Sequence, residues 1–217
     1  MSVLTIERKV LEKNDSIAAS IRNLFKSHNI FSINLVSSPG SGKTSLVEKT
    51  IEACRDQVKI AVIEGDIQTD LEARRVDALG VPVVQIVTHG ACHLEANLVS
   101  DSVRQLDLTG VEFMIIENVG NLVCPSGYDL GEDHKVVIVS TTEGDDKPLK
   151  YPAMFRNASV LIINKIDLSP YLNTSVEELE KNALSINPDL KVYKTSCVSG
   201  EGIPDWCDWI LSNVKKK

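Results

Sequence analysis

Apolar residues in this chain follow two rhythms. Continuous apolar runs at 30–36, 58–63, 81–87, 111–116, 135–140, 160–163 and 191–193 have the length of strands covered on both faces. Between them, apolar positions recur every three or four residues, which predicts helices. The first helix, over about residues 4–27, carries Ile6, Val10, Ile17, Ile21 and Leu24 on one stripe, expected to pack on the body of the protein. Further helices are predicted over 69–79, over 93–105 with Leu94, Leu98, Val99 and Val103 inward, and over 203–214. Such alternation predicts an α/β fold, a doubly wound and mostly parallel sheet flanked by helices, in one domain over 1–217, with 1–28 as a helical appendage.

The first strand runs into Ser37-Ser38-Pro39-Gly40-Ser41-Gly42-Lys43-Thr44 and then a helix. Strand, glycine-rich turn and helix form the context of a phosphate-binding loop, so the fold expected is that of a P-loop NTPase. Gly40 and Gly42 allow backbone N–H groups, with Ser41, to converge on phosphate, and Lys43 brings positive charge to the β- and γ-phosphates. Thr44 offers its hydroxyl to Mg²⁺, with Ser45 beside it at the helix start. Ser37 stands where the usual spacing has its first glycine.

Ligands of parallel sheets collect beyond the carboxyl ends of strands, and the residues there carry the rest of the chemistry. Asp66 and Glu117 end two apolar runs and are the Mg²⁺ candidates with Thr44; Asp70 or Glu72 would orient an attacking water. Asn164-Lys165-Ile166-Asp167 follows another run, and the Asp167 carboxylate can accept from N1–H and the 2-amino group of guanine, groups adenine lacks. GTP is therefore expected over ATP. Ser196 and Cys197, after the last strand, belong to a second loop able to contact the base. The stretch 119–134, with Gly120, Pro125, Gly127, Tyr128 and Gly131, reads as a long functional loop.

Composition narrows the field. A formal net charge of −7 argues against a nucleic-acid binder, and no apolar run approaches the roughly 18 residues of a membrane span. With no apolar signal core among the first residues, a soluble cytoplasmic protein is expected. Five cysteines, an odd number, argue against a disulfide framework and leave core fillers or metal ligands. Cys92 and His93, expected at a helix start, together with Cys124, form a thiol–imidazole set suited to Zn²⁺ or Ni²⁺. The alternative is buried thiols with a capping histidine. Three ligands leave the site incomplete, so a fourth would come from water or from a second subunit across a two-fold axis. His28, His89 and His134 have no thiol neighbours and are expected at the surface.

Taken together, 37–44, Glu64-Gly65-Asp66, Cys92-His93-Leu94, the block 117–125, Thr141 to Pro148, 164–167 and Gly200-Glu201-Gly202 resemble the hydrogenase nickel-incorporation GTPases, the HypB family, over nearly the whole chain. The resemblance implies a GTP-hydrolysing homodimer that delivers nickel to the large subunit of [NiFe]-hydrogenase with a second nickel-binding accessory protein. It also implies that Cys92, His93 and Cys124 hold zinc or nickel at the dimer interface. Some members carry an N-terminal cysteine motif or a histidine-rich tract; these 217 residues hold neither, and nickel storage is not expected of them. Glu72 stands where many members have aspartate. The alternatives are the urease accessory GTPase, whose motif is Cys-Pro-His, a nucleotide-gated zinc regulator, and a P-loop kinase.

Overall fold

The computed structural model describes residues 3–68 and 70–217, with side chains from residue 10 onward. Its elements are α1 (Val3–Ser27), β1 (Phe31–Ser37), α2 (Lys43–Cys54), β2 (Ile60–Asp66), α3 (Leu71–Asp77), β3 (Val83–Val87), α4 (Ala96–Val103), β4 (Phe113–Glu117), β5 (His134–Ser140), α5 (Lys147–Lys150), α6 (Pro152–Asn157), β6 (Val160–Asn164), α7 (Val176–Ile186), β7 (Lys191–Thr195) and α8 (Ile203–Val214). The seven strands form one sheet in the order β3-β2-β4-β1-β5-β6-β7, and every neighbouring pair is parallel. This is the doubly wound P-loop architecture expected from the sequence.

Alternating strand residues feed opposite faces. Phe31, Ile33 and Leu35 pack with α2 and α8 on one side. The other side is divided between α1 with α4, over Met114 and Ile116, and α6 with α7, over Val137 and Val139. Because β1, β2, β4, β5 and β6 are buried on both faces, the sheet must be covered twice, and the crossover helices do so.

Helix α1 is part of this layer. Its Ala18, Ile21 and Phe25 are buried in the cluster that holds Met114 and Ile116. The buried stripe differs from the expected one: Val10 is 45% and Leu24 36% exposed, while Asn14 is buried in their stead. Asn14 earns its position by pairing, donating Nδ2 to Asp129 O at 2.8 Å and accepting from Ala96 N at 2.9 Å through Oδ1. The side chain of Ile6, and Thr69 at the expected start of α3, lie outside the described residues. His134 is likewise not a surface residue. It is half-buried, with its ring 5.8 Å from Phe31 and 5.3 Å from Trp209 and Nδ1 2.8 Å from Ser159 Oγ, and burial pushes its pKa down.

Phe25 is 1% exposed, so Phe25→Ala should lower the unfolding free energy by about 3–5 kcal/mol in equilibrium urea titration. A loss under about 1 kcal/mol would mean that α1 contributes little to the core.

Candidate functional site

The switch point of the sheet lies at β1, whose neighbours β4 and β5 continue to opposite sides, and the loop leaving β1 opens a cleft of about 450 Å³. Gly40 (φ +79°) and Gly42 (φ +93°) take left-handed conformations in this loop, and Ser37 does not. That is why serine is tolerated where the spacing usually has glycine. Gly42 precedes the first turn of α2, whose free N–H groups and dipole suit an anion such as phosphate, and Lys43 and Thr44 line the cleft.

Register brings the acids together. Strand β4 lies between β2 and β1, so Glu117 is paired with Glu64 on one side and Leu35 on the other. Glu117 Oε1 accepts from Thr44 Oγ1 at 2.8 Å and lies 3.8 Å from Lys43 Nζ. Both carboxyls are essentially buried, and Glu64 Oε2 and Glu117 Oε2 have no hydrogen-bond partner among the described residues. Burial, then the charge of Glu117, pushes the Glu64 pKa far up; burial raises Glu117 as well, against the opposing pull of Lys43. Two buried carboxyls with unused oxygens beside a threonine hydroxyl fit a hard divalent cation such as Mg²⁺.

Asp66 and Glu72 line the cleft as the sequence suggested. Asp70 does not: its Oδ2 accepts from Arg74 Nε and Nη2 at 2.9 and 2.8 Å on the exposed start of α3, and Arg74 holds its pKa down. Glu64 and Arg75 also line the cleft, and neither is among the site residues expected from the sequence. Glu64 is legible in the sequence, because side chains two apart on a strand share a face and Asp66 is a candidate there. Arg75 carried no comparable signal; it is held against Glu48 by contacts of 2.8 and 2.6 Å.

The guanine-type loop is bolted onto the phosphate loop. Asn164 donates Nδ2 to Ser41 O at 2.9 Å and accepts from Thr195 Oγ1 at 3.1 Å, and Lys165, itself left-handed at φ +61°, donates Nζ to Gly40 O at 2.6 Å. The amide of Asn164 is thus occupied in clasping two loops. Asp167 Oδ1 is buried without a hydrogen-bond partner among the described residues, an acceptor of the kind the guanine edge requires. Ser196 Oγ accepts from Val198 N and Ser199 N at 3.2 and 3.1 Å, which shapes the second loop, and the half-buried Cys197 thiol lies 3.7 Å from Asn164 Oδ1.

Cys92, His93 and Cys124 converge, with their ligand atoms all within 4.8 Å of one another. The pair does not start a helix. It lies in the β3–α4 connection, with α4 beginning at Ala96 after Glu95, and Cys124 opens a short 3₁₀ turn over Cys124–Gly127. Cys92 Sγ is 3.6 Å from His93 Nδ1, and the imidazole packs on Tyr128 at 4.1 Å between ring centroids. Burial holds the His93 pKa down, favouring the neutral form that ligates metal, and its Nε2 is buried with no hydrogen-bond partner among the described residues. The Cys124 thiol alongside pushes the Cys92 pKa up. Soft sulfur and imidazole donors of this kind fit Zn²⁺ or Ni²⁺.

Residues 31–194 match the family model for the CobW/HypB/UreG nucleotide-binding domain. The chain is 51% identical over 208 residues to the hydrogenase maturation factor HypB of Azotobacter vinelandii, covering 96% of this chain and 69% of that one. Its identity to the HypB of Escherichia coli K12 is 47%, over 96% of this chain and 72% of the relative. Among solved structures, HypB from Helicobacter pylori in complex with nickel superposes with a TM-score of 0.90 at 38% identity, over 94% of this chain and 96% of that one.

A Cβ on Gly42 would meet Asn164 Nδ2 at 2.5 Å, so Gly42→Ala should unseat the clasp between the two loops. The expected outcome is at least about a tenfold weaker affinity for fluorescent GTP, and a GTP-over-ATP preference that falls with it. Weaker binding of both nucleotides with the preference intact would mean that the clasp does not set the base site.

Proposed function

The chain belongs to the CobW/HypB/UreG nucleotide-binding family, among the HypB hydrogenase maturation factors, and on that premise we propose that it is a GTP-hydrolysing metallochaperone that couples its nucleotide state to nickel delivery during [NiFe]-hydrogenase maturation. One observation carries the reading. Cys124 of the Cys92/His93/Cys124 cluster lies on the segment that leaves Glu117, a residue of the nucleotide cleft, and Leu94, next to His93, donates its backbone N–H to Asn118, next to Glu117.

The geometry supports a set of residue roles. Lys43 and the start of α2 hold the phosphates, with Gly40, Ser41, Gly42 and Ser45 shaping the cradle. Thr44, Asp66 and Glu117 would hold Mg²⁺, which would supply positive charge against the phosphates, and Glu64 adds a carboxyl beside Glu117. Glu72 orients the attacking water; its position in the cleft favours it over Asp70, which is engaged by Arg74. Asp167 reads the guanine edge, and Asn164, Lys165, Ser196 and Cys197 build the wall around it. Hydrolysis then yields GDP and phosphate.

At the cluster, Cys92, His93 and Cys124 supply three donors to nickel or zinc. All three are only partly buried, and neighbouring Val123 is 60% exposed, which supports completion of the site by a second copy when GTP binds. The hydrogenase large subunit and a second nickel-binding accessory protein are the proposed partners. Among the described residues no helix is long and apolar enough to cross a membrane, in keeping with a cytoplasmic place of work.

Two measurements test this. Replacing Cys92, His93 or Cys124 by alanine should weaken nickel and zinc binding by at least about tenfold in chelator competition, the loss that an outer-shell partner alone can cause; unchanged affinity would remove the cluster from the mechanism. Asp167→Asn should exchange GTP for xanthosine triphosphate as the preferred nucleotide, with at least about a hundredfold loss for GTP. Retained GTP selectivity would overturn the base assignment.

A further inference from the structure

Between the nucleotide cleft and the thiol–imidazole cluster runs a chain of buried polar side chains that neither site requires for its own chemistry. It begins at Asn118, which follows Glu117 directly and is 1% exposed. Asn118 Oδ1 accepts from Leu94 N at 3.0 Å and from Val119 N at 2.9 Å, and its Nδ2 donates to Asn34 Oδ1 at 3.2 Å. Asn34, fully buried on β1, donates Nδ2 to Glu132 Oε1 at 3.1 Å. Glu132 in turn accepts from Leu130 N at 2.7 Å through Oε2 and faces Lys135 Nζ at 3.9 Å. Lys135, 9% exposed, donates to Pro125 O at 3.2 Å and to Tyr128 O at 2.8 Å.

The direction of every amide in this chain is fixed. Two backbone N–H donors at one end demand an oxygen from Asn118, and a carboxylate at the other demands a nitrogen from Asn34, so neither amide can flip without losing bonds. Leu94 adjoins His93. Pro125 adjoins Cys124, and Tyr128 packs on the His93 ring. One end of the relay therefore grips the arm bearing Cys92 and His93, and the other grips the arm bearing Cys124.

Packing reinforces the same path. A Cβ on Gly65, which lies between Glu64 and Asp66, would sit 2.8 Å from Leu94 Cδ1, so Leu94 rests directly on the end of β2. A Cβ on Gly120 would sit 3.2 Å from Pro39 N and Cα, so the segment after Glu117 lies against the phosphate loop. Movement of Glu117 or of the end of β2 displaces Leu94, Asn118 or both, because a close-packed interior leaves no slack to absorb it.

We propose that Asn118 is the positioning residue that carries the state of the nucleotide cleft to both arms of the thiol–imidazole cluster, through Leu94 N on one side and through Asn34, Glu132 and Lys135 on the other. The proposal rests on the assignment of Cys92, His93 and Cys124 as metal ligands. It adds the physical connection by which γ-phosphate and metal affinity become one linked equilibrium, as coupling of two sites through a bistable element requires.

The test measures Ni²⁺ and Zn²⁺ affinity of the full chain by chelator competition, once with GDP and once with a non-hydrolysable GTP analogue. In the wild-type chain the two affinities should differ by a factor in the roughly 5–150-fold range of coupled sites. In Asn118→Ala and Asn34→Leu the ratio should fall below about twofold, while the affinity for the GTP analogue stays within about threefold of wild type. A merely structural role would weaken metal binding equally in both states and leave the ratio intact; that result, or a wild-type ratio near one, overturns the proposal. Lys135→Met, which leaves the bond from Leu94 N to Asn118 in place, should give an intermediate ratio, and it decides the matter if the asparagine variants do not fold. Failure of the ligand assignment is separate: the Cys92, His93 and Cys124 alanine variants would then bind metal as wild type does.

Discussion

The position of β4 between β1 and β2 is the constraint on which the rest depends. Parallel register sets Glu117 beside Glu64 and beside Leu35, and so fixes a carboxylate at the mouth of the phosphate loop, within reach of Thr44 and Lys43. The next residue, Asn118, is by the same register beyond the strand end, where its side chain turns back toward Asn34. A one-residue slip would put every β4 side chain on the other face of the sheet and separate cleft from cluster.

Polar groups at this junction are expensive. Glu64, Glu117, Asn118, Asn34, Glu132 and Lys135 are all nearly or fully buried. Burial pushes the Glu132 carboxyl up and the Lys135 ammonium down, so the pair is held against a desolvation penalty that an apolar pair of equal volume would not incur. A core built for stability alone would have no use for them. Their concentration between a nucleotide cleft and a soft-donor cluster is what a structure requires if two sites are to feel one another through directional bonds rather than bulk packing.

Much of this was legible in the sequence, for reasons that also explain what was not. The central strands declare themselves because both faces are buried, leaving largely apolar runs. The phosphate loop and the Asn164–Asp167 loop declare themselves by glycine and by position after a strand. The buried stripe of α1 departs from the apolar pattern because Asn14, a polar residue satisfied at both ends, occupies a core position that hydrophobicity assigns elsewhere. The start of α4 was set too early because Leu94 looks like an inward helical position; its burial comes from resting on Gly65. His134 is half-buried because the aromatic cluster of Phe31 and Trp209 accepts its ring, a tertiary fact with no local signature. Glu64 and the relay from Asn118 to Lys135 depend on register across strands distant in sequence, which a reading along the chain does not supply.

The central claim is that the nucleotide cleft and the Cys92/His93/Cys124 cluster form one device, in which hydrolysis releases the metal. Stopped-flow mixing of the GTP- and nickel-loaded chain with a chromophoric chelator and a phosphate sensor tests it most directly. The account predicts that nickel reaches the chelator with the rate constant of phosphate release, and that a non-hydrolysable analogue holds it back. Nickel release at one rate regardless of hydrolysis would contradict it.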